Sequence, residues 1–475
     1  MITADASSSA NEHSNALKNP YEESSREQTV ISEENAEKEA VDDLHLYSVK
    51  DKMSLKRKWF ILTIVAMQGF LGPVTSSIYI PAIAQVRQTF HTTNITINAT
   101  ISLYVFVIGL MPLFWATFSE RYGRRIIYIL STALYIAATV GCALSRSVGL
   151  FIAMRALQAT GASASQAVGA GTVIDLFDQQ ERGNAMGFFL LGPLIGPVIG
   201  PIAGGYINQY IGWRFIFWIL CALGGFIFIL ILFFVPETSA IILKKRKIAG
   251  SEERFIHQEP LLKSMSKPFI FLTKLSVIFA TTPYSIAYGF MYFMIASLPQ
   301  QLSTHYHFTS SQIGLSYLAN GTGNAVGAVL SGILSDRAIV KKNVPEARLS
   351  VIWLGIIILP MGEVVYGWCS QFGIHVVSCL FGLFLLGLGV GLVQTPSNTY
   401  ISDIYPKYAA SVMSTANLLR CLSAGFTPLV APVLIPAIGN GWSMTILAFI
   451  SAASGICVFL AQRYGSIWAK DMKWL

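Results

Sequence analysis

Charge is what this sequence has least of. Only 12% of its 475 residues are Asp, Glu, Lys or Arg, whereas 53% are hydrophobic; soluble domains average about 25% charged. Mean hydropathy is +0.56. A chain so poor in charge cannot clothe a water-facing globule, which excludes an ordinary soluble protein. No Gly-x-x-x-x-Gly-Lys-Ser/Thr run is present, so no phosphate-cradling loop points to ATP as an energy source. Gly387-Leu388-Gly389-Val390-Gly391 superficially imitates a dinucleotide loop. It lies inside an apolar run with no strand before it, which reads as helix packing. The six cysteines, 142, 221, 369, 379, 421 and 457, all fall in apolar segments without paired metal spacing, and free thiols are expected. Cys369 and Cys379 flank one short loop, the single pair for which a disulfide stays open. The seven histidines stand in tails, loops or the ends of apolar runs. No catalytic triad, metal site or cofactor loop is readable, so neither an enzyme nor a nucleic-acid partner is expected.

The net charge of +8 hides a division. Residues 1–50 hold eleven acidic and four basic side chains, net −7, which leaves +15 for the remainder. This Ser-, Glu- and Asn-rich stretch has little to bury, so residues 1–55 are expected to form a disordered acidic tail. It has no apolar core of the signal-peptide kind and should stay in the cytosol. Solvated filler and a phosphorylation or turnover segment both fit it.

What is abundant is apolar runs of about twenty residues, each long enough to cross a hydrocarbon core of about 30 Å. They fall near 59–81, 98–118, 126–145, 148–174, 185–208 and 213–235. Six more follow near 273–299, 311–334, 350–369, 375–402, 409–435 and 441–462. The reading is an all-α integral membrane protein with twelve transmembrane helices. One six-helix half spans 56–236, a linker 237–272, a second half 273–465 and a C-terminal tail 466–475. Lys56, Arg57, Lys58, Arg121, Arg124, Arg125, Arg182, Lys244 to Lys247, Arg337, Lys341, Lys342, Arg348, Lys407 and Arg463 flank one face; Arg87, Arg146 and Arg214 flank the other. The positive-inside rule then puts both termini and the linker in the cytoplasm. Lys244–Lys247 marks the inner side or touches anionic headgroups. Asn94-Ile-Thr96 and Asn98-Ala-Thr100 read as glycosylation sequons on the outer side, Asn98 almost at the membrane.

Within the fifth run, Gly196, Gly200 and Gly204 recur every four residues on one face, a seam that lets another helix approach closely. Prolines 193, 197 and 201 would ruin this helix in water but are tolerated in a bilayer. Gly187, Gly196, Gly200, Pro201, Gly204 and Gly205 meet every fixed position of G-x8-G-x3-G-P-x2-G-G. This resembles the antiporter signature of the major facilitator superfamily. After the second run, Glu120, Arg121, Gly123, Arg124 and Arg125 resemble that superfamily's loop motif, with Ala116 in place of its opening Gly; Gly332 to Arg337, with Asp336, repeats its start after the eighth. The resemblance implies a cytoplasmic latch in which the acids cap the next helix and pair with arginine across the face. Arg155-Ala-Leu-Gln158-Ala-Thr-Gly161 resembles the motif of span four, and an intramembrane charge is a functional residue by default. Arg155 is expected to tune the protonation of a nearby carboxylate or to hold substrate; a snorkelling arginine is the plain alternative. Ser77 to Ala82, Gly212 to Phe217 and Pro236-Glu237-Thr238 look like the fungal twelve-span drug:proton antiporter branch. Asp403-Ile-Tyr-Pro406 and Asn417-Leu-Leu-Arg420-Cys421 look like its quinidine- and weak-acid-resistance subgroup.

The first span departs from that branch in having no acid between Trp59 and Ala84. The carboxylate placed well inside a span is Glu363, where desolvation disfavours the charged form, as a proton carrier requires. Asp175 and Asp403 end spans four and ten and serve equally as latch acids or proton sites. The cavity is expected between the halves near the midplane, with Tyr79, Gln158, Tyr284, Tyr288, Tyr292, Asn320, Asn324, Gln394, Asn398, Asn417 and Arg420 as candidate liners. The expected function is proton-coupled export of drugs, weak organic acids or polyamine-like metabolites by a monomer in the plasma membrane, with the vacuolar membrane as the alternative. A facilitator or proton symporter for uptake, and a non-transporting receptor, are the competing readings.

Overall fold

The computed structural model describes residues 53–178, 181–240, 242–243, 269–342, 344–405 and 409–470. Nearly all of the acidic tail, the Lys244–Lys247 cluster, Lys407 and residues 471–475 lie outside the described residues.

Each apolar run becomes a helix. The first half comprises α1 (Leu55–Ser77), α2 (Asn94–Tyr122), α3 (Arg124–Leu144), α4 (Val148–Leu176), α5 (Arg182–Tyr210) and α6 (Trp213–Phe234). The second half begins with α7 (Leu275–Tyr306), α8 (Ser310–Lys342), α9 (Ile352–Gln371) and α10 (Val376–Ile404). The stretch Ala409–Ala453 is broken at Gly439, whose φ of 82 suits only glycine. We call its arms α11 (409–438) and α12 (440–453), the latter continued by Gly455–Lys470. That last helix runs past the expected end of the second half at 465. A short extension beyond the C-terminal end of α1, Ile80–Ala82 and Ile83–Thr89, is also absent from the sequence reading.

Eight of the described helical stretches are long and apolar enough to cross a membrane, Ser411–Gly465 counting as one although it holds two spans. The helices that fall short, α4, α7 and α8, are rich in Ser, Gly, Asn and Tyr. They bury those residues inside the bundle, where helices approach through small and polar side chains.

The packing repeats. In the first half α1 lies on α5, α2 and α3 on α4, and α3 on α6; in the second, α7 lies on α11, α8 and α9 on α10, and α9 on α12. The halves meet through α2 against α11 and α5 against α8. Among the described residues, the hydrogen bonds joining the halves are Ser76–Tyr292 (3.3 Å), Asn98 Nδ2 to Pro428 O (3.1 Å), Asn208 Nδ2 to Ser310 Oγ (3.0 Å) and Ser311 N to Gln209 Oε1 (3.1 Å). All of them lie away from the basic face on which α1 begins, so the two halves are sealed on the far side.

One expectation is corrected here. Asn98 is 5% exposed and donates to a carbonyl of the other half, so it is unavailable for glycosylation. Asn94 opens α2 and accepts from Arg87 (2.6 Å). All six cysteines are free.

Candidate functional site

Arg155, on α4, is fully buried, and it does not snorkel. Its Nη1 donates to the carbonyl of Thr75 (3.2 Å) and to Gln158 Oε1 (2.8 Å), one helical turn on. Gln158 Nε2 in turn donates to Thr139 Oγ1 (2.8 Å). The guanidinium lies 4.2 Å from the ring centre of Tyr104 and 4.7 Å from that of Tyr79. Such desolvated cation–π contacts contribute about 2 kcal/mol each. Nε and Nη2 have no hydrogen-bond partner, and the salt bridges of the described residues give Arg155 no carboxylate. The expected tuning of a nearby acid therefore has no acid to act on in this conformation.

Tyr79 and Gln158, expected as cavity liners, are fully buried, and Tyr79 OH is paired with Thr100 Oγ1. They form the packed floor behind Arg155 and present no open surface.

The opposing wall comes from α7 and α11. Tyr284, Tyr288 and Tyr292 follow one another by a turn along α7, with adjacent ring centres 6.0 Å and 5.2 Å apart. Arg420 of α11 sits over Tyr288 at 4.3 Å and 5.9 Å from Tyr284, its Nη2 held by Asn417 Oδ1. Tyr288, Tyr292, Asn417 and Arg420 are all half-buried. Tyr292 OH meets Ser76 Oγ, next in the chain to the Thr75 carbonyl that anchors Arg155. Two arginines, one from each half, thus stand at the ends of one string of contacts across the centre of the molecule.

The amides expected on α8 and α10 divide. A Cβ on Gly387 would lie 2.1 Å from the Asn320 carbonyl, and one on Gly391 2.3 Å from that of Asn324. Asn320 and Asn324 thus sit at the α8–α10 crossing, each with a buried, unpaired Oδ1, which corrects their assignment to the wall between the halves. Gln394 and Asn398 are half-buried, one turn apart on α10.

The glycine helix faces two ways. Cβ atoms at Gly196, Gly200 and Gly204 would come within 2.9 Å, 2.2 Å and 1.6 Å of α1 atoms, and Gly192 joins the row at 2.5 Å. A Cβ on Gly205 would instead lie 2.4 Å from the Ser310 carbonyl of α8, and one on Gly314 of α8 2.3 Å from Pro201 O. Gly187 has nothing within 4 Å and takes no part in the packing.

On the basic face, Arg124 Nε pairs with Asp175 (3.2 Å), which also accepts from Thr238 (3.2 Å). Glu237 accepts from the backbone N–H of Arg124 (2.9 Å) and Arg125 (3.2 Å), capping α3. In the second half Arg348 holds Asp336 (2.7 Å) and Asp403 (2.6 Å) together. The expectation that Glu120 caps the next helix is wrong. Glu120 and Arg121 point to solvent, and the cap comes from Glu237, which the chain returns to that corner at the end of α6. Both described clusters stay within their own half, so neither forms a bond between halves here. Arg337 is exposed. In the sequence Arg348 counts only as an inside-marking charge, and Pro236-Glu237-Thr238 stands out as a resemblance without pointing to a cap.

Glu363 is fully buried between α9 and α12, its Oε1 accepting from Ser451 Oγ (3.1 Å) and its Oε2 unpartnered. It stands away from the central string of arginines and tyrosines.

The family model described as Major Facilitator Superfamily matches residues 65–428 and again 284–473. The MFS transporter cpaT of Aspergillus oryzae is 33% identical over 84% of this chain and 85% of its own. The efflux pump radE of Floropilus chiversii is 33% identical over 86% of this chain and 80% of its own. Among solved structures, a bacterial homolog of the human lysosomal transporter Spinster, inward-facing and unoccupied, superposes with a TM-score of 0.67 at 15% identity, covering 88% of this chain and 98% of that one. A D-xylose-proton symporter superposes at 0.66 and 14% identity, over 86% and 97%. The last two likenesses bear on the fold.

Proposed function

The chain belongs to the Major Facilitator Superfamily, and we propose that it exports small organic molecules from the cytosol in exchange for protons. It is a multi-pass membrane transporter and not an enzyme. The observation that carries the export reading is the glycine helix α5, pressed on α1 by one face and on α8 of the other half by its edge. That geometry suits two bodies that rock about a shared line while the cleft opens alternately to either side. All described bonds between the halves lie away from the basic face, which supports a cleft open toward the cytoplasm, ready to load. A relative named as an efflux pump agrees with this direction.

On this reading the termini are cytoplasmic, the membrane is the plasma membrane, and the monomer is the working unit. The two basic-face clusters close on each other when the cleft turns outward. Glu363 takes the proton, as the described acid placed midway along a helix. It acts through the packing of α9 on α12, since it does not face the central cleft. Asp175 and Asp403 are held by Arg124 and Arg348 and serve the clusters.

The test is efflux of labelled organic compounds from cells making the protein, with and without a protonophore, beside Glu363→Gln. Efflux lost with both the protonophore and Glu363→Gln supports the reading. Protonophore-sensitive efflux that survives Glu363→Gln removes the proton from that residue. Uptake down the proton gradient would make the protein a symporter, and no movement of any compound would leave a receptor.

A further inference from the structure

Positive charge stands at the centre of this molecule without its usual complement. The described acidic residues lie in the end turns of helices or in loops on the basic face, with Glu363 the exception, enclosed between α9 and α12. No described salt bridge reaches Arg155 or Arg420. A buried guanidinium without a counter-ion is costly to keep, and it is kept where something is to be bound. Arg155 is sealed, fully buried with its Nη1 held by the Thr75 carbonyl and Gln158. Arg420 differs: Asn417 holds only its Nη2, the side chain is half-buried, and beside it run the rings of Tyr284, Tyr288 and Tyr292. The planar fork of an arginine matches a carboxylate by two parallel hydrogen bonds, and tyrosine faces accept a flat ring.

We propose that the cleft selects aromatic carboxylates, with the carboxylate on Arg420 and the ring against Tyr288 and Tyr292. This deepens the export reading by naming a substrate class, and it rests on that reading for the direction of movement. Flat cations and polyamines are disfavoured, because the same guanidinium that attracts the anion repels them and no described acid faces them. Ser76, bonded to Tyr292, stands at the edge of the same place, so an occupant wedged against Tyr292 would disturb a hydrogen bond between the halves. Binding and the closure of the far side are thereby linked through one hydroxyl.

The test uses the full chain, purified in detergent, with three probes that share one ring: naphthalene-2-carboxylate, naphthalene-2-carboxamide and 2-naphthylmethylammonium. Equilibrium binding of the carboxylate is expected to be about tenfold tighter than that of either of the others. Arg420→Gln should reduce that preference to about threefold or less, and Arg420→Lys should keep the order while weakening the carboxylate, since a point charge replaces the fork. Should Arg420→Gln elute as aggregate, the lysine variant and the wild-type ranking still decide. Ammonium binding as tight as carboxylate, no binding of the carboxylate, or a preference untouched in Arg420→Gln would each overturn the proposal. Efflux of the same carboxylate from cells separates the two readings. Selective binding without efflux defeats export and leaves the anion site, whereas efflux with no anion preference defeats the site and leaves export.

Discussion

Removing the Glu237 carboxylate should unfasten the start of α3. Its Oε1 accepts from Arg124 N (2.9 Å), Thr238 N (3.1 Å) and Ser239 N (3.0 Å), and its Oε2 from Arg125 N (3.2 Å). The residue is 7% exposed, so water replaces it poorly. A hydrogen bond to a charged group contributes about 1.5 kcal/mol net, and two of these four cross from the end of α6 to the first turn of α3. The favourable placement of an anion at a helix N-terminus adds about 0.5 kcal/mol. Glu237→Ala should therefore cost at least about 3.5 kcal/mol, because the N–H groups of the buried Thr238 and Ser239 also lose their acceptor. Glu237→Gln keeps an acceptor for Arg124 N but sets an amide donor against Arg125 N–H and loses the charge, for about 1.5 kcal/mol. Gly123 shares the corner. Its φ is +101, and a Cβ there would meet Oε2 at 2.3 Å, so Gly123→Ala should displace the same carboxylate. The two alanine variants together should cost clearly less than their sum, as coupled neighbours do. Unfolding of the purified chain in detergent, followed by tryptophan fluorescence across a denaturant series, reads all four variants against wild type. A Glu237→Ala protein within about 0.5 kcal/mol of wild type, or a glutamine variant as damaged as the alanine one, would refute the reasoning.

Two further predictions concern contacts of the same kind elsewhere. Gly204→Ala puts a methyl group 1.6 Å from the Ile78 carbonyl and should abolish transport or folding, whereas Gly187→Ala, with nothing within 4 Å, should retain wild-type efflux and stability. Equal effects of the two in an efflux assay would show that the glycine row is not the seam between α1 and α5. Arg348→Ala leaves Asp336 and Asp403 facing each other unneutralised, and efflux should fall about tenfold or more. Asp403→Asn combined with it should recover part of that loss by removing one of the like charges, and no recovery would argue against repulsion as the cause.

The spans were readable because a bilayer fixes their length: a run of about twenty apolar residues has few other fates. The same argument failed at the ends. Nothing local says that α1 continues as the short helix Ile83–Thr89, or that the last helix reaches Lys470, since those stretches lie where water relaxes the demand for apolar residues. The period-four glycines were legible as a seam, and the structure puts α1 against it. The cap of α3 was not. Glu120 stands four residues before Arg124, while Glu237 lies 113 residues away, and only the return of the chain brings it there. Arg155 announced itself by its cost, yet its partners, a Thr75 carbonyl and the Tyr104 ring, come from α1 and α2 and leave no mark in its own sequence. Asn98 misled for the opposite reason, because its local pattern is complete and only the packing of α11 hides it.

The meeting of α5 with α8 has a thermal consequence. A side chain at Gly205 would run into the Ser310 carbonyl and one at Gly314 into that of Pro201, so at this end of the crossing backbone rests on backbone and little hydrocarbon is covered there. Heat-capacity change follows the apolar area uncovered, about 0.45 cal/K/mol for each Å². Parting the helices at this end should therefore carry a small heat-capacity term, and its share of the balance between the two orientations of the cleft should shift little as the temperature changes.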